Sequence, residues 1–230
     1  MRYNEYNQPI GDEVKNFTPG SFPDFTVLEG KTVRVEKLNK NHIPDLYEYY
    51  GPSGNPKSFT YLFYDMFQDI KVFEKLIEER INSKEYYHLS IIDKATEKAV
   101  GSFALMRIDQ ENRVCEMGHV FYSDKLKKTR QATEAQFLVM QYVFETMKYR
   151  RYEWKCDNLN AGSRGAALRL GFTFEGIFRN VMVYKGRTRD TAWFSMLDSE
   201  WEENKRRLQS WLSDDNFDEN GHQKKSLNKM

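Results

Sequence analysis

The chain has 230 residues, 40% of them hydrophobic and 15% aromatic, enough to bury a sizeable core in one large domain or two small ones. Its formal net charge of +1 excludes a global field that would draw it to nucleic acid or an anionic membrane. No apolar run approaches membrane-spanning length and the N-terminus carries no charged-then-apolar leader, so a cytoplasmic protein is expected. The two cysteines, Cys115 and Cys156, sit in strand-like runs outside any CxxC or His/Cys cluster and read as buried reduced thiols.

Residues 1–26 are polar, broken by Pro9, Gly11, Pro19, Gly20 and Pro23, and lack periodicity. Phe17, Phe22 and Phe25 mark this stretch as an arm wrapped over the domain rather than a free tail. Alternation from Thr32 to Leu38 predicts a first strand, and a short helix is expected from His42 to Tyr50. Gly51 to Pro56 break that helix, and an aromatic connector runs from Phe59 to Phe67. Asp69 caps a helix in which Val72, Phe73, Leu76, Ile77, Arg80 and Ile81 follow helical spacing. Strands are predicted at Tyr86–Asp93, Ala99–Asp109 and Val114–Phe121, the first two joined by the polar turn Lys94–Lys98.

A long central helix follows, with Ala135, Leu138, Val139, Tyr142, Val143 and Met147 on one face. Tyr152–Cys156 alternates as a fifth strand, and Ser163–Leu170 reads as a short helix stopped by Gly171. The last strands are Phe172–Arg179 and Thr191–Leu197, with Lys185-Gly186-Arg187 as a turn. Asp198 or Ser199 caps a charged helix to Leu212, and residues 213–230 are polar, aperiodic and expected to be disordered. The folded unit therefore spans 27–212. Hairpins in the middle and crossovers later give an α+β class, or α/β with a mixed sheet covered by helices.

The order of elements, with Glu116-Met117-Gly118-His119-Val120, Ala132-Thr133-Glu134-Ala135, Asn160-x-x-Ser163, Leu170-Gly171-Phe172 and Asp190–Leu197, resembles the GNAT superfamily of acyl-CoA N-acyltransferases. The likeness spans Leu28 to Trp201 and looks like the RimJ/RimL branch, whose named members acetylate protein N-termini. It implies a mostly antiparallel sheet splayed between the fourth and fifth strands. Acetyl-CoA lies in the gap, an amine acceptor approaches from the other side, and transfer is direct, without a covalent acyl-enzyme. A protein N-terminus, a metabolite or a xenobiotic are all open as acceptor, and a monomer and a homodimer are both open as assembly.

In the family the pyrophosphate loop reads Gln/Arg-x-x-Gly-x-Gly/Ala, where backbone donors and the positive helix end make an anion site. The matching stretch is Lys127-Lys128-Thr129-Arg130-Gln131-Ala132, followed by Thr133. Arg130 stands in place of the inner Gly, where a side chain would crowd the phosphates, force a new backbone angle, or add charge beside them with Lys125, Lys127 and Lys128. That departure motivates a rival reading as a non-catalytic acyl-CoA-binding or ribosome/RNA-interaction module.

By the same resemblance Ser163 sits near the CoA sulfur and donates to the departing thiolate, although its place at a helix start equally suits a cap. Glu116 is the candidate base, or else a salt-bridged strand residue. Asn158 and Asn160 flank the elbow as cofactor contacts or turn formers. Gly118, His119 and Val120 border the cofactor, the oxyanion donor being the backbone N–H near His119 or Val120. His119 otherwise packs in an aromatic position, and Glu134 reads as structural. Tyr61, Tyr64 and Trp193 are the candidate acceptor contacts, and Arg179, Arg187 and Arg189 either bind an acidic acceptor or flank a turn. The four histidines are scattered and suggest no metal site.

Overall fold

A computed structural model describes all residues, Met1–Met230. Eight strands form one twisted sheet in the order β3-β4-β5-β6-β7-β8-β10-β9. They are β3 (Val27–Glu29), β4 (Val33–Lys37), β5 (Tyr87–Asp93), β6 (Lys98–Asp109), β7 (Val114–Tyr122), β8 (Arg151–Asp157), β9 (Thr173–Tyr184) and β10 (Arg187–Leu197). A small hairpin of β1 (Arg2–Tyr3) and β2 (Pro9–Ile10) stands apart from it.

Every neighbouring pair is antiparallel except β7 and β8. Those two run parallel, and their pairing stops at Met117 and Trp154 although both strands continue. From there the sheet opens into a wedge, the splay expected between the fourth and fifth predicted strands. Within β7, Ser102 and Ala104 of β6 face Phe121 and Gly118, so His119 and Val120 oppose a single residue and form a bulge. His119 takes a left-handed backbone there, at φ 50°.

Helices cover both faces. On one side α1 (Ile43–Tyr50) and α2 (Ile70–Ile81) bury Leu46, Tyr50, Phe73 and Ile77 against β5–β7 in a small core. On the other, α3 (Arg130–Gln141) and α5 (Asp198–Leu212) pack over a larger core that includes Val35, Leu89, Met117, Val139 and Trp201. Beyond Gln141 the central helix widens into a π turn, Tyr142–Thr146, which keeps Val143 on the buried face. The short helix α4 (Ala161–Leu170) ends at Gly171, φ 99°, where an added Cβ would lie 2.3 Å from Asn204 Oδ1. The helix α5 starts without a side-chain cap from Asp198 or Ser199; instead Glu200 accepts from the Leu197 N–H at 2.8 Å.

Two terminal segments differ from one another. The arm docks through Phe22 and Phe25, the latter with its ring 4.5 Å from that of Tyr142. The last 18 residues, expected to be disordered, instead fold back over α5. Leu227 is fully buried and Asn216 bonds the carbonyls of Trp211 and Lys225. Few apolar residues in that stretch carry the packing, so composition hid it.

Candidate active site

Two cavities open on the wedge. The larger, about 1580 Å³, runs along the start of α3 and one side of α4. The smaller, about 460 Å³, lies over β7, β8 and α2. Both are lined by Tyr61, Leu62, Val120, Trp154, Asn160 and Ser163, so they meet at the point where β7 and β8 part.

The larger cavity gathers Lys127, Lys128, Thr129, Arg130, Gln131, Ala132 and Thr133, all expected at an anion site. Thr129 caps α3, accepting from the Ala132 N–H at 3.2 Å, and Lys128 supplies the left-handed turn at φ 62°. Arg130 has a helical backbone, so the residue in place of the family's glycine needs no positive φ. Its guanidinium leaves the loop for the folded tail, donating to Asp214 at 2.9 Å and to the Leu212 carbonyl and lying 4.4 Å from the Phe217 ring centre. Of the three outcomes open for Arg130, it therefore takes none: its backbone is helical and its charge is taken up by the tail. Lys127 is likewise engaged, with Asp124 at 2.7 Å and Ser58 at 2.6 Å, while Lys128 has no side-chain partner. Arg169, which the sequence did not flag, lines this cavity and bonds Thr133 Oγ1 at 2.9 Å. Gln136 Oε1 is buried along it without a partner.

At the junction, Asn160 is the true cap of α4, its Oδ1 accepting from the Ser163 N–H at 3.1 Å. The Ser163 hydroxyl is thereby free of capping. Its Oγ accepts from Trp154 Nε1 at 3.0 Å; the O–H is the remaining donor, with the Cys156 thiol a neighbouring acceptor. Asn158 lines neither cavity; its side chain is held by Arg164 at 2.7 Å, a structural role in the elbow.

The smaller cavity holds Glu116, Gly118, His119 and Tyr64. Gly118 makes room for the Met106 side chain of β6: a Cβ would sit 2.0 Å from its Sδ and oblige that side chain to move. Glu116 is buried and accepts from Lys155 Nζ at 2.7 Å, with Arg107 at 3.4 Å. Burial pushes its carboxyl up despite these cations. Lys155 also reaches Glu153 at 3.1 Å and lies 3.5 Å from the Trp193 ring centre. Trp193 itself lines neither cavity: it is the platform beneath Lys155 rather than a wall of the acceptor space. Of the three arginines near the last turn, Arg189 alone enters the cavity; Arg187 bonds the Thr60 carbonyl at 2.6 Å and Arg179 is exposed. Glu134 clasps the β3–β4 turn, accepting from the Thr32 N–H at 2.8 Å.

Lys155 and Arg80 were missed as site residues, yet each left a trace. Lys155 is the one lysine inside the alternating run Tyr152–Cys156, and Arg80 follows Phe73 and Ile77 at steps of four and three on the buried face of α2.

Residues 33–173 match the Acetyltransferase (GNAT) domain family. A GCN5-related N-acetyltransferase from Brucella melitensis is similar at 46% identity and a TM-score of 0.91, over 94% of this chain and 98% of that one. A probable GNAT-family acetyltransferase from Chromobacterium violaceum follows at 33% identity and a TM-score of 0.79, over 85% and 98%. An uncharacterized N-acetyltransferase, p20 of Bacillus licheniformis, is 33% identical over 49% of this chain, a match that spans 62% of that relative's length. No helix is long and apolar enough to cross a membrane.

Proposed function

The chain belongs to the GNAT acetyltransferase family, and from that premise we propose that it moves an acetyl group from acetyl-CoA directly to an amine. The observation that carries this reading is the meeting of two cavities at Val120, Trp154 and Ser163, one with an anion-binding helix start and one with a buried carboxylate.

The larger cavity fits the donor. Backbone N–H groups at the start of α3, with Lys128 beside them, suit a pyrophosphate. The orphaned Gln136 Oε1 offers an acceptor to an amide N–H of a pantetheine arm. When bound, acetyl-CoA supplies a thioester as acyl donor. Glu116 takes the proton of the incoming amine, directly or through water, and its raised pKa makes it a better acceptor than an ordinary carboxylate. The backbone at the His119–Val120 bulge polarises the carbonyl oxygen. As the new C–N bond forms and the C–S bond breaks, the Ser163 O–H donates to the sulfur, held on line by Trp154. The RimJ/RimL likeness keeps a protein N-terminus among the amines to be tried.

The test is amine-dependent release of free thiol from acetyl-CoA, with peptide N-termini and small amines as acceptors, in the wild type, E116Q and S163A. Turnover that both variants depress is expected. Saturable acetyl-CoA binding without turnover on any amine would replace this reading by a non-catalytic acyl-CoA-binding module.

A further inference from the structure

Two buried guanidinium groups face the smaller cavity with no carboxylate within 4.0 Å of either. Arg80, 7% exposed, reaches only phenol oxygens, Tyr64 at 3.2 Å and Tyr50 at 3.5 Å. Arg189, 9% exposed, donates through Nε to Thr191 at 3.0 Å, and its two terminal nitrogens have no acceptor in the chain. The rings of Phe63 and Tyr184 lie 5.6 and 5.9 Å from it.

The contrast with Lys155 is informative. That ammonium is equally buried but sits between two carboxylates, the usual way a folded chain offsets the cost of a buried charge. Of the three carboxylates that line the cavity, two are already engaged. Glu116 is taken by Lys155 and Arg107, and Asp157 by the Leu159 N–H and the Tyr184 hydroxyl. Glu79 is exposed and makes no ion pair. A second sign of missing negative charge comes from two stacked imidazoles, His88 and His119, with ring centres 5.3 Å apart. Burial first, and then the Arg80 charge, push them down to about 3 and about 4, so both stay neutral at pH 7. His119 Nδ1 is buried without a partner.

Building on the acetyl-transfer reading, we infer that the acceptor is a small amine carrying its own anion, a carboxylate or a phosphate, which Arg80 and Arg189 hold inside the smaller cavity. The guanidinium fork matches either oxyanion with paired hydrogen bonds. A volume of about 460 Å³ admits a molecule of amino-acid size, and Tyr61, Phe63, Tyr64 and Tyr86 supply apolar walls for its body. Arg80 and Arg189 are thus specificity-determining residues: they select the acceptor and leave bond making to Glu116 and Ser163.

Matched pairs of amines test this: O-phosphoethanolamine against ethanolamine, and phenylalanine against phenethylamine. Each is titrated calorimetrically into the CoA-saturated protein and assayed for thiol release from acetyl-CoA. At least one anion-bearing member is expected to bind and react roughly 10- to 100-fold better than its neutral partner. The pair that shows the preference tells phosphate from carboxylate. In R189Q the ratio should fall toward one, in R189K part of it should survive, and melting curves check that both variants fold. Equal handling of both pairs, no binding of any anion-bearing amine, or a preference untouched by R189Q would overturn the inference. An anion preference in binding with no thiol release would uphold it and sink the transfer reading instead.

Discussion

The two cavities are built from opposite kinds of sequence. The larger draws much of its lining from contiguous runs, Lys127 to Thr133 and residues of α4, and it works mainly through backbone donors at a helix start. The smaller is assembled from short runs of the 61–64 connector, β7 and β8 with residues of α2, β5, β6 and β10, and works through buried charges and aromatic walls. A donor shared across a family can be met by a local motif. An acceptor peculiar to one chain has to be met by residues distant in sequence, which converge only once the sheet has formed.

The sharpest way to break this division is Glu116→Gln. Loss of a positioned base typically costs about 10² to 10⁴ in kcat/KM. The base form of Glu116 exists only above its pKa, which burial raises, so the wild-type rate should climb with pH through a limb above the ordinary carboxylate range. That limb should vanish in E116Q; a pH profile unchanged by the substitution would remove Glu116 from the chemistry. Next comes Ser163→Ala, expected to lower kcat by roughly 10²-fold, as for loss of one donor to a developing anion, with little change in the KM for acetyl-CoA. A change in KM alone would return Ser163 to a purely structural place in the elbow.

The tail belongs to the donor side of the comparison. Asp214, Phe217 and His222 wall the larger cavity, and Leu227 anchors the segment in the core. Leu227→Ala should cost about 2–5 kcal/mol, read as a fall in the denaturant midpoint, and should raise the acetyl-CoA KM more than the amine KM. A stability unchanged by that truncation would mean the segment is not docked in solution.

Acid sharpens the other side. Because His88 and His119 have folded values near 3 and 4, below the unfolded value of about 6.5, the unfolded chain binds more protons as pH falls. Stability should therefore decline from about pH 6.5 downward, by at most about 1.4 kcal/mol per pH unit for each histidine. His119→Asn, which tolerates the left-handed backbone, should make the slope shallower, as melting temperatures across that range would reveal. The smallest effect is Lys128→Ala, an exposed cation at the helix start. An increase of about fivefold in the acetyl-CoA KM is expected, from the roughly 1 kcal/mol of an exposed charge contact.

Much of the fold could be read because hydrophobic period and breakers agree. Asp69 and Gly171 cap helices where expected, and the alternation of Val114 to Phe121 gave the strand that borders the wedge. What failed turns on long-range packing. The fate of Arg130 depended on Asp214 and Phe217, which lie more than 80 residues away and whose folding the composition of residues 213–230 concealed. Trp193 alternates correctly on β10, yet its face is claimed by Lys155. Asn160 and Asn158 look alike in the elbow, and only the start of α4 separates a cap from a partner of Arg164.

The most direct measurement is calorimetric titration of acetyl-CoA into the wild type, K128A and R189Q. One saturable site, weakened in K128A and unaltered in R189Q, is the expected result, because the two side chains serve different cavities. No binding at millimolar acetyl-CoA, or an equal loss in both variants, would contradict the assignment of donor and acceptor to separate cavities that meet at Ser163.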